Sequence, residues 1–345
     1  MLGKSRAHTQ FGGPTDGGCR FGPSGADRGS RVTPGQDEFA LIEALRARFE
    51  APGGGLDHGD LGIGDDAAAV TLPGPGRVVL ATDLVVEGVH VDRAVSTPED
   101  IGWKALMAAV SDIGAMGCAP SHALLSVAAP AGFPIDRLGD GVAEAAAAAG
   151  CVVVGGDLSA SPVLVVSVTA IGPAGHDGTH LLTRAGARSG DRLFVTGPTG
   201  GSAAGLRLLS SATSPVPPAL SAAHRRPVAR LREGVEARRA GASAAVDVSD
   251  GLVADLVRLA EASGVGLDLV VGDAVVAVGA TRNEALGGGE DYELVLATPD
   301  PDALVVAFGA AGLRPPLAIG VCTERSARSV LDGGPLPPGG WRHEF

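Results

Sequence analysis

Apolar positions recur at helical spacing at Phe39, Leu41, Ile42, Leu45 and Phe49, and again at Ile101, Ala105 and Ala108. Pro98 and Glu99 open the second run, and Gly117 and Pro120 close it, which predicts a helix from 98 to about 116. Between the two runs, 77–83 reads as a buried strand, VVLATD, ending at an acid. Beyond them, 122–129 reads as a strand, 135–149 as a helix, 151–154 as a strand running into Gly155-Gly156-Asp157, and 163–171 as another strand. This alternation predicts an α/β or α+β domain that closes near residue 172. In the second half, 192–196, 244–248, 292–297 and 317–321 read as strands, and 202–209 as a helix. The Arg-rich segment 224–240 reads as a helix or loop–helix with Pro227 near its start, after an exposed Ser/Pro-rich stretch, 211–219. Ser249 is placed to cap a helix carrying Leu252, Leu256, Leu259 and Ala260 on one side. Residues 1–36 lack any such pattern and are expected to form a disordered tail. The expected division is therefore 1–36 tail, 37–172 first domain and 173–345 second domain.

The polar positions that interrupt this pattern are mostly acids. Asp112 continues the stripe of Ile101, Ala105 and Ala108 at steps of 4, 3 and 4, so a carboxylate falls on a face that otherwise reads as buried. A buried acid needs a partner, and Lys104 lies on a different face. Short acidic motifs recur elsewhere: GIGDDA with Asp65 and Asp66, ATD with Asp83, GGD with Asp157, and DVSDG with Asp247 and Asp250. So many carboxylates cannot gather without cations. A cluster of hard divalent ions held by carboxylates usually handles phosphates.

Composition narrows the reading. The 345 residues suffice for two domains. A hydrophobic share of 45% against 19% charged suits a soluble globular chain. A net charge of −12 argues against a protein that coats nucleic acid, and no apolar run is long enough for a membrane helix. Lys4 and Lys104 are the only lysines, so no GxxxxGK[ST] loop exists. The cysteines, Cys19, Cys118, Cys151 and Cys322, are widely spaced without a CxxC pair, which speaks against a zinc site or a disulfide framework and for the reducing cytoplasm.

Each motif also has an ordinary structural reading. GIGDDA is a common kind of turn. Thr82 and Asp83 offer two oxygens at an expected strand end, or simply a cap. His90 is a candidate phosphate neighbour, though a lone histidine is more often structural. Asp247 and Ser249 share one face of a strand end, and Asp250 opens the next helix, whose N-terminus favours phosphate. Arg184, in LTRAGARSGD, is a phosphate fork or a surface arginine. GGGEDYEL (287–294) is a loop over a ligand or a plain entry to a strand.

Taken in order, GIGDDA, ATD…GVH, SDIGAMG, GGD, LTRAGA, TGPTGGSAAGL, HRRP, DVSDGL and GGEDYEL resemble the thiamine-phosphate kinase family over residues 37 to 345. The wider superfamily includes aminoimidazole ribonucleotide synthetase, selenophosphate synthetase and a hydrogenase maturation protein. The resemblance implies a two-domain α/β (α+β) fold, with an N-terminal mixed sheet that joins a partner subunit's to give a homodimer, and a C-terminal α/β domain beside it. It implies ATP- and Mg²⁺-dependent conversion of thiamine phosphate to thiamine diphosphate by direct in-line transfer, with no covalent or general-base residue. By motif, Asp66, Ala81 (through its backbone carbonyl), Thr82, Asp83, Asp112, Asp157, Asp247 and Asp250 look like magnesium ligands. Gly156, Asp157, Arg184 and Ser249 look like the ATP site, and His90, Glu290 and Trp341 like contacts to thiamine phosphate. The chain departs from the family after GGD, where Leu158-Ser159 replaces the usual Thr-Thr and a following basic residue is missing.

The alternatives predict other features. Selenophosphate synthetase needs a reactive Cys or selenocysteine in an N-terminal glycine loop, and Cys19 lies outside the expected folded region. The hydrogenase maturation protein ends in a functional cysteine, whereas this chain ends in Glu344-Phe345. The purine synthetase would lack the GGEDYEL context. A calcium-stabilised binding module would show no nucleotide dependence, and no EF-hand spacing is present.

Overall fold

The computed structural model describes residues 60–61, 64–71, 76–174, 180–211, 215–338 and 340–341. The tail 1–36 and the helix expected around 39–49 lie outside the described residues.

The first part of the chain runs β1 (Ala68–Thr71), β2 (Arg77–Val86), α1 (Pro98–Ala115), β3 (His122–Ala129), α2 (Ile135–Ala149), β4 (Val152–Ala160) and β5 (Val165–Pro173). The strands form one sheet in the order β1-β2-β5-β3-β4. Neighbours are antiparallel except β3 and β4, which are parallel because α2 carries the chain between them. The start of α1 is set by Thr97. Its hydroxyl accepts from Asp100 N at 3.2 Å, the Asp100 carboxylate accepts from Thr97 N, and Pro98 occupies the first turn, where it costs no hydrogen bond. Ile101, Leu106 and Val110 of α1 join Leu138 and Val142 of α2 over Val79, Ala123, Val127, Val166 and Val168 of the sheet. The other sheet face leaves Leu84, Leu124, Val152 and Val154 exposed.

The second part holds β6 (Arg192–Val195), α3 (Gly201–Ser210), α4 (Pro218–Arg225), α5 (Leu231–Arg239), β7 (Ala244–Asp247), α6 (Leu252–Ser263), β8 (Gly266–Leu269), α7 (Arg282–Gly287), β9 (Leu294–Thr298), α8 (Pro301–Ala310), β10 (Leu317–Thr323), β11 (Val330–Leu331) and β12 (Gly334–Pro335). These strands make a seven-stranded mixed sheet, ordered β12-β11-β8-β10-β6-β9-β7. One face packs Val195, Val246 and Ile319 under Leu252, Leu256 and Leu259 of α6. On the opposite face, Phe194 and Leu296 meet Ala237 of α5 and Phe308 of α8. The two parts are joined through α1, which also lies against α5. Gly114 and Gly234 permit this approach, since a Cβ at Gly234 would stand 1.9 Å from the Gly114 carbonyl oxygen.

Several expected boundaries differ. β2 does not end at Asp83 but continues to Val86, and β4 continues through Gly155-Gly156-Asp157 to Ala160. In both cases strand pairing carries the backbone past the acid. The Arg-rich segment is two helices, α4 and α5, because Pro227 interrupts the ladder. Ser249 does not cap α6. The N-cap is Gly251, and the side chain that closes the turn is Asp255.

Candidate active site

The helix stripe and the strand ends converge at the seam between the two sheets. Asp112 comes from α1, Asp247 from the end of β7, and Asp66 from the segment before β1. One carboxylate oxygen of each lies within 4.8 Å of the other two. Ser111 reaches across the seam and donates to Asp247 Oδ2 at 2.6 Å. Arg184, in a single 3-10 turn, pairs with Asp66 through Nη2 and, at 3.1 Å, through Nε. Its backbone N–H meets both oxygens of Asp65 at 3.2 Å.

These carboxyls hold their protons more strongly than ordinary acids. Burial raises the pKa of Asp112 well above the usual range, and Asp247, Asp66 and Asp83 add to the shift. Asp247 is also raised well above that range, first by burial and then by Asp66, against the pull of Ser111 and Arg184. Burial raises Asp66 against the Arg184 charge. Asp65 is pushed up to about 6 by burial and by Asp66. Negative charge is thus costly here, and one oxygen, Asp66 Oδ2, is buried without a hydrogen-bond partner. A donor set made only of oxygens, with an orphaned carboxylate oxygen among them, fits a hard divalent cation.

A cleft of about 350 Å³ opens beside this cluster. It is lined by Thr82, Asp83, His90, Asp112, Asp247, Ser249, Asp250, Glu290 and Trp341 of the residues expected from sequence. Trp341 is anchored by its backbone N–H on the Asp250 carbonyl at 2.9 Å, and its side chain stays half exposed. His90 Nδ1 accepts from Val86 N at 3.1 Å. Arg184 stands behind the cleft on Asp66. Ala81 is buried within β2.

Thr82 and Asp83 both line the cleft, but they do not share one face of the sheet. Adjacent residues on a strand point to opposite faces. Asp83 therefore faces the acid cluster, while the Thr82 hydroxyl lies on the open face of the sheet, 3.1 Å from Thr169 Oγ1. Gly156 and Asp157 are not at the cleft. They sit on the exposed edge strand β4, with Asp157 level with Ser126 of β3, Ser167 of β5 and Leu84 of β2. Three strand spacings, roughly 14 Å, separate Asp157 from β2. The backbone N–H groups of Ser249, Asp250 and Gly251 are also already engaged. All three donate to Asp255 Oδ2, at 3.1, 3.1 and 3.0 Å.

Other functional neighbours escaped sequence reasoning. Asp255 shapes the DVSDG turn, and Arg258 ties it to Asp250 at 2.6 and 2.5 Å. Its signal was an acid one turn into an otherwise apolar helix. Lys104 is buried and pairs with Glu290, and the buried His224 of the HRRP motif lies 3.2 Å from Ser202 Oγ. GGGEDYEL distributes its acids: Glu290 to Lys104, Asp291 to the N–H groups of Gly200 and Ser202 at the start of α3, and Glu293 to Arg230 and Arg314.

Comparison with known proteins agrees with this layout. The sequence model for AIR synthase related protein, N-terminal domain, matches residues 64–174, and that for the C-terminal domain matches 188–332. A thiamine-monophosphate kinase of Mycobacterium tuberculosis is 38% identical over 86% of this chain and 88% of its own length. One from Bacillus subtilis is 35% identical over 86% and 94%. A solved structure of AaThiL complexed with AMPPCP and TMP superposes with a TM-score of 0.76 at 33% identity, covering 89% of this chain and 97% of that one. The matches run across both sheets of this chain and nearly the full length of these relatives, and the chain belongs to the thiamine-monophosphate kinase family.

Proposed function

We propose that this chain transfers the γ-phosphate of ATP to thiamine phosphate, giving thiamine diphosphate and ADP. The observation that carries the reading is the seam cluster of Asp66, Asp112 and Asp247, with its unpartnered oxygen, facing a cleft lined by family motifs from both halves. The relatives named thiamine-monophosphate kinase, and the solved relative complexed with AMPPCP and TMP, support the same substrates.

Asp66, Asp112 and Asp247, with Asp83 and Asp250 on the cleft wall, would hold Mg²⁺. Ala81 would contribute only a backbone carbonyl. Bound Mg²⁺ neutralises the phosphates and stabilises charge on the transferring group. The nucleophile is a phosphate oxygen of thiamine phosphate. With a second pKa of about 6, it is largely ionised at neutral pH, so no side chain needs to remove a proton. The side chains instead orient the two reactants. Arg184, whose guanidinium keeps its charge beside Asp66, and Ser249 would contact ATP. His90, Glu290 and the half-exposed indole of Trp341 would contact thiamine phosphate. The oxygen attacks in line, its bond to phosphorus forms as the bond to ADP breaks, and no phosphoenzyme intervenes.

The reading also includes a homodimer. The open face of the five-stranded sheet carries Leu84, Leu124, Val152 and Val154 exposed, and the same face presents Thr82 and Asp157. A second copy on that face would cover the apolar residues and bring its Asp157 and Gly156 toward the first copy's site. The cytoplasm is the compartment that suits buried free thiols, and among the described residues no helix is long and apolar enough to cross a membrane.

Phosphorus NMR of the protein with Mg-ATP and thiamine phosphate tests the reaction. ADP and thiamine diphosphate should appear together, at equal rates. ADP without thiamine diphosphate, or neither product, would remove the substrate assignment.

A further inference from the structure

Lys104 is the only lysine among the described residues of a chain that otherwise relies on arginine. It lies inside α1, is 1% exposed, and places Nζ 2.8 Å from Glu290 Oε2. Its ammonium is compact and sits on a flexible stem, unlike a planar guanidinium. Glu290 belongs to the other half of the molecule and sits at φ 64°, a left-handed conformation that a side chain normally avoids. Two bonds keep it there: its N–H donates to the Ser249 carbonyl at 2.8 Å, and its carboxylate meets Lys104. The buried His224 flanks the same oxygen, Nδ1 lying 3.8 Å from Oε2. Glu290 Oε1 makes no hydrogen bond among the described residues, and Glu290 lines the cleft.

We propose that Lys104 is a positioning residue for substrate. It clamps one oxygen of Glu290 so that the other is presented to the ring end of thiamine phosphate, whose amino group and cationic ring suit a carboxylate. Lys104 does not itself touch substrate. It acts from the first half of the molecule on a loop of the second, which ties recognition of the acceptor to the docking of the two halves. This rests on the kinase reading.

Wild-type turnover of thiamine phosphate is measured first and decides that reading by itself. Lys104→Met should then raise KM for thiamine phosphate by about tenfold or more, the size of a lost charge-assisted hydrogen bond. KM for ATP should stay within about twofold, because the phosphate-binding side is untouched. Glu290→Gln should show the same split, and K104M should add little on top of it, since both remove one contact. Lys104→Arg keeps the charge with a different reach. It should fall between wild type and K104M, and it supplies the comparison if K104M does not melt cooperatively. An active wild type with unchanged KM for thiamine phosphate in K104M and K104R overturns the positioning role alone. So does a rise in both KM values together with a lowered Tm, the mark of a merely structural lysine. A wild type that forms no thiamine diphosphate overturns both proposals.

Discussion

Asp112 shows how a single residue can oppose folding and serve chemistry. Its carboxyl is set on a buried helix stripe among Asp66, Asp83 and Asp247, where burial and like charge both disfavour ionisation. Asp112→Asn keeps the shape and removes one repelling acid. It should therefore raise Tm by a few degrees in EDTA, while lowering turnover by about a hundredfold or more, as loss of a metal-positioned interaction does. Mg²⁺ should stabilise the wild type more than the variant, because only binding to the folded state shifts the equilibrium. Near-normal activity of the variant would show that the cluster is not the metal site. His224 gives a second test at this scale. It faces Lys104, Glu290 and Ser202, and Arg225 follows it on α4. Burial, then Lys104 and Arg225, pushes its pKa down to about 3. As pH falls below the ordinary histidine value of about 6.5, the unfolded chain takes up a proton that the folded chain refuses. Stability should thus decline from about pH 6.5 toward pH 3, by up to about 1.4 kcal/mol per pH unit from this group. Urea titrations at pH 7 and pH 5 should show His224→Gln losing less stability between the two than wild type. An equal loss would mean that the imidazole is protonated in the fold.

The helices decide how well the site is held. α1 supplies Ser111 and Asp112 to the cluster and Lys104 to the cleft loop, and its position depends on α2. Their contact is backbone to backbone, since a Cβ at Gly141 would stand 1.9 Å from the Glu99 carbonyl oxygen and one at Gly102 would stand 2.1 Å from that of Leu138. Gly141→Ala must push the helices apart and should cost about 2 kcal/mol or more in urea unfolding, despite the better helix propensity of alanine. An unchanged midpoint would mean that α2 shifts freely and does not fix α1. Much of this level was legible in the sequence. Pro98 and Gly117 bracket α1, and the alternation in 122–129 and the small-residue periodicity of 135–149 define β3 and α2. Asp112 was recognisable from its stripe. What was hidden has physical reasons. Asp83 and Asp157 look like strand ends by local pattern, but cross-strand pairing carries both strands onward. Ser249 reads as a cap by type, yet Asp255, an acid from the helix itself, folds back and takes the N–H groups. β8 spans four residues and α7 six, too few for a period to show, although the Thr281–Glu284 capping box and Asp300-Pro301 are local start signals for α7 and α8. The pairing of Lys104 with Glu290 is a contact between residues 186 positions apart, which no local pattern encodes.

At the scale of the whole molecule, the question is how Asp157 can belong to a metal and ATP site. Within one chain it cannot join Asp83 and Asp112, for it lies on the far edge strand and on the opposite face of the sheet. A partner seated on that face, where Leu84, Leu124, Val152 and Val154 are exposed, would bring its Asp157 to the first copy's Thr82, which shares that face and adjoins Asp83 on β2. The expected particle in light scattering is then twice the 34.1 kDa chain. A sharper test is complementation. Asp112→Asn and Asp157→Asn should each be inactive alone. If each site takes Asp112 from one copy and Asp157 from the other, a mixed dimer carries one site with both lesions and one with neither. Unfolding and refolding the two variants together in equal amounts should restore about a quarter of wild-type turnover, since half of the dimers are mixed and each has one intact site of two. A site built within one chain would leave a lesion in every site, and the mixture would stay inactive. A monomer in light scattering, or an active Asp157→Asn variant, would remove Asp157 from the site and leave the outer face of the sheet with no part in catalysis.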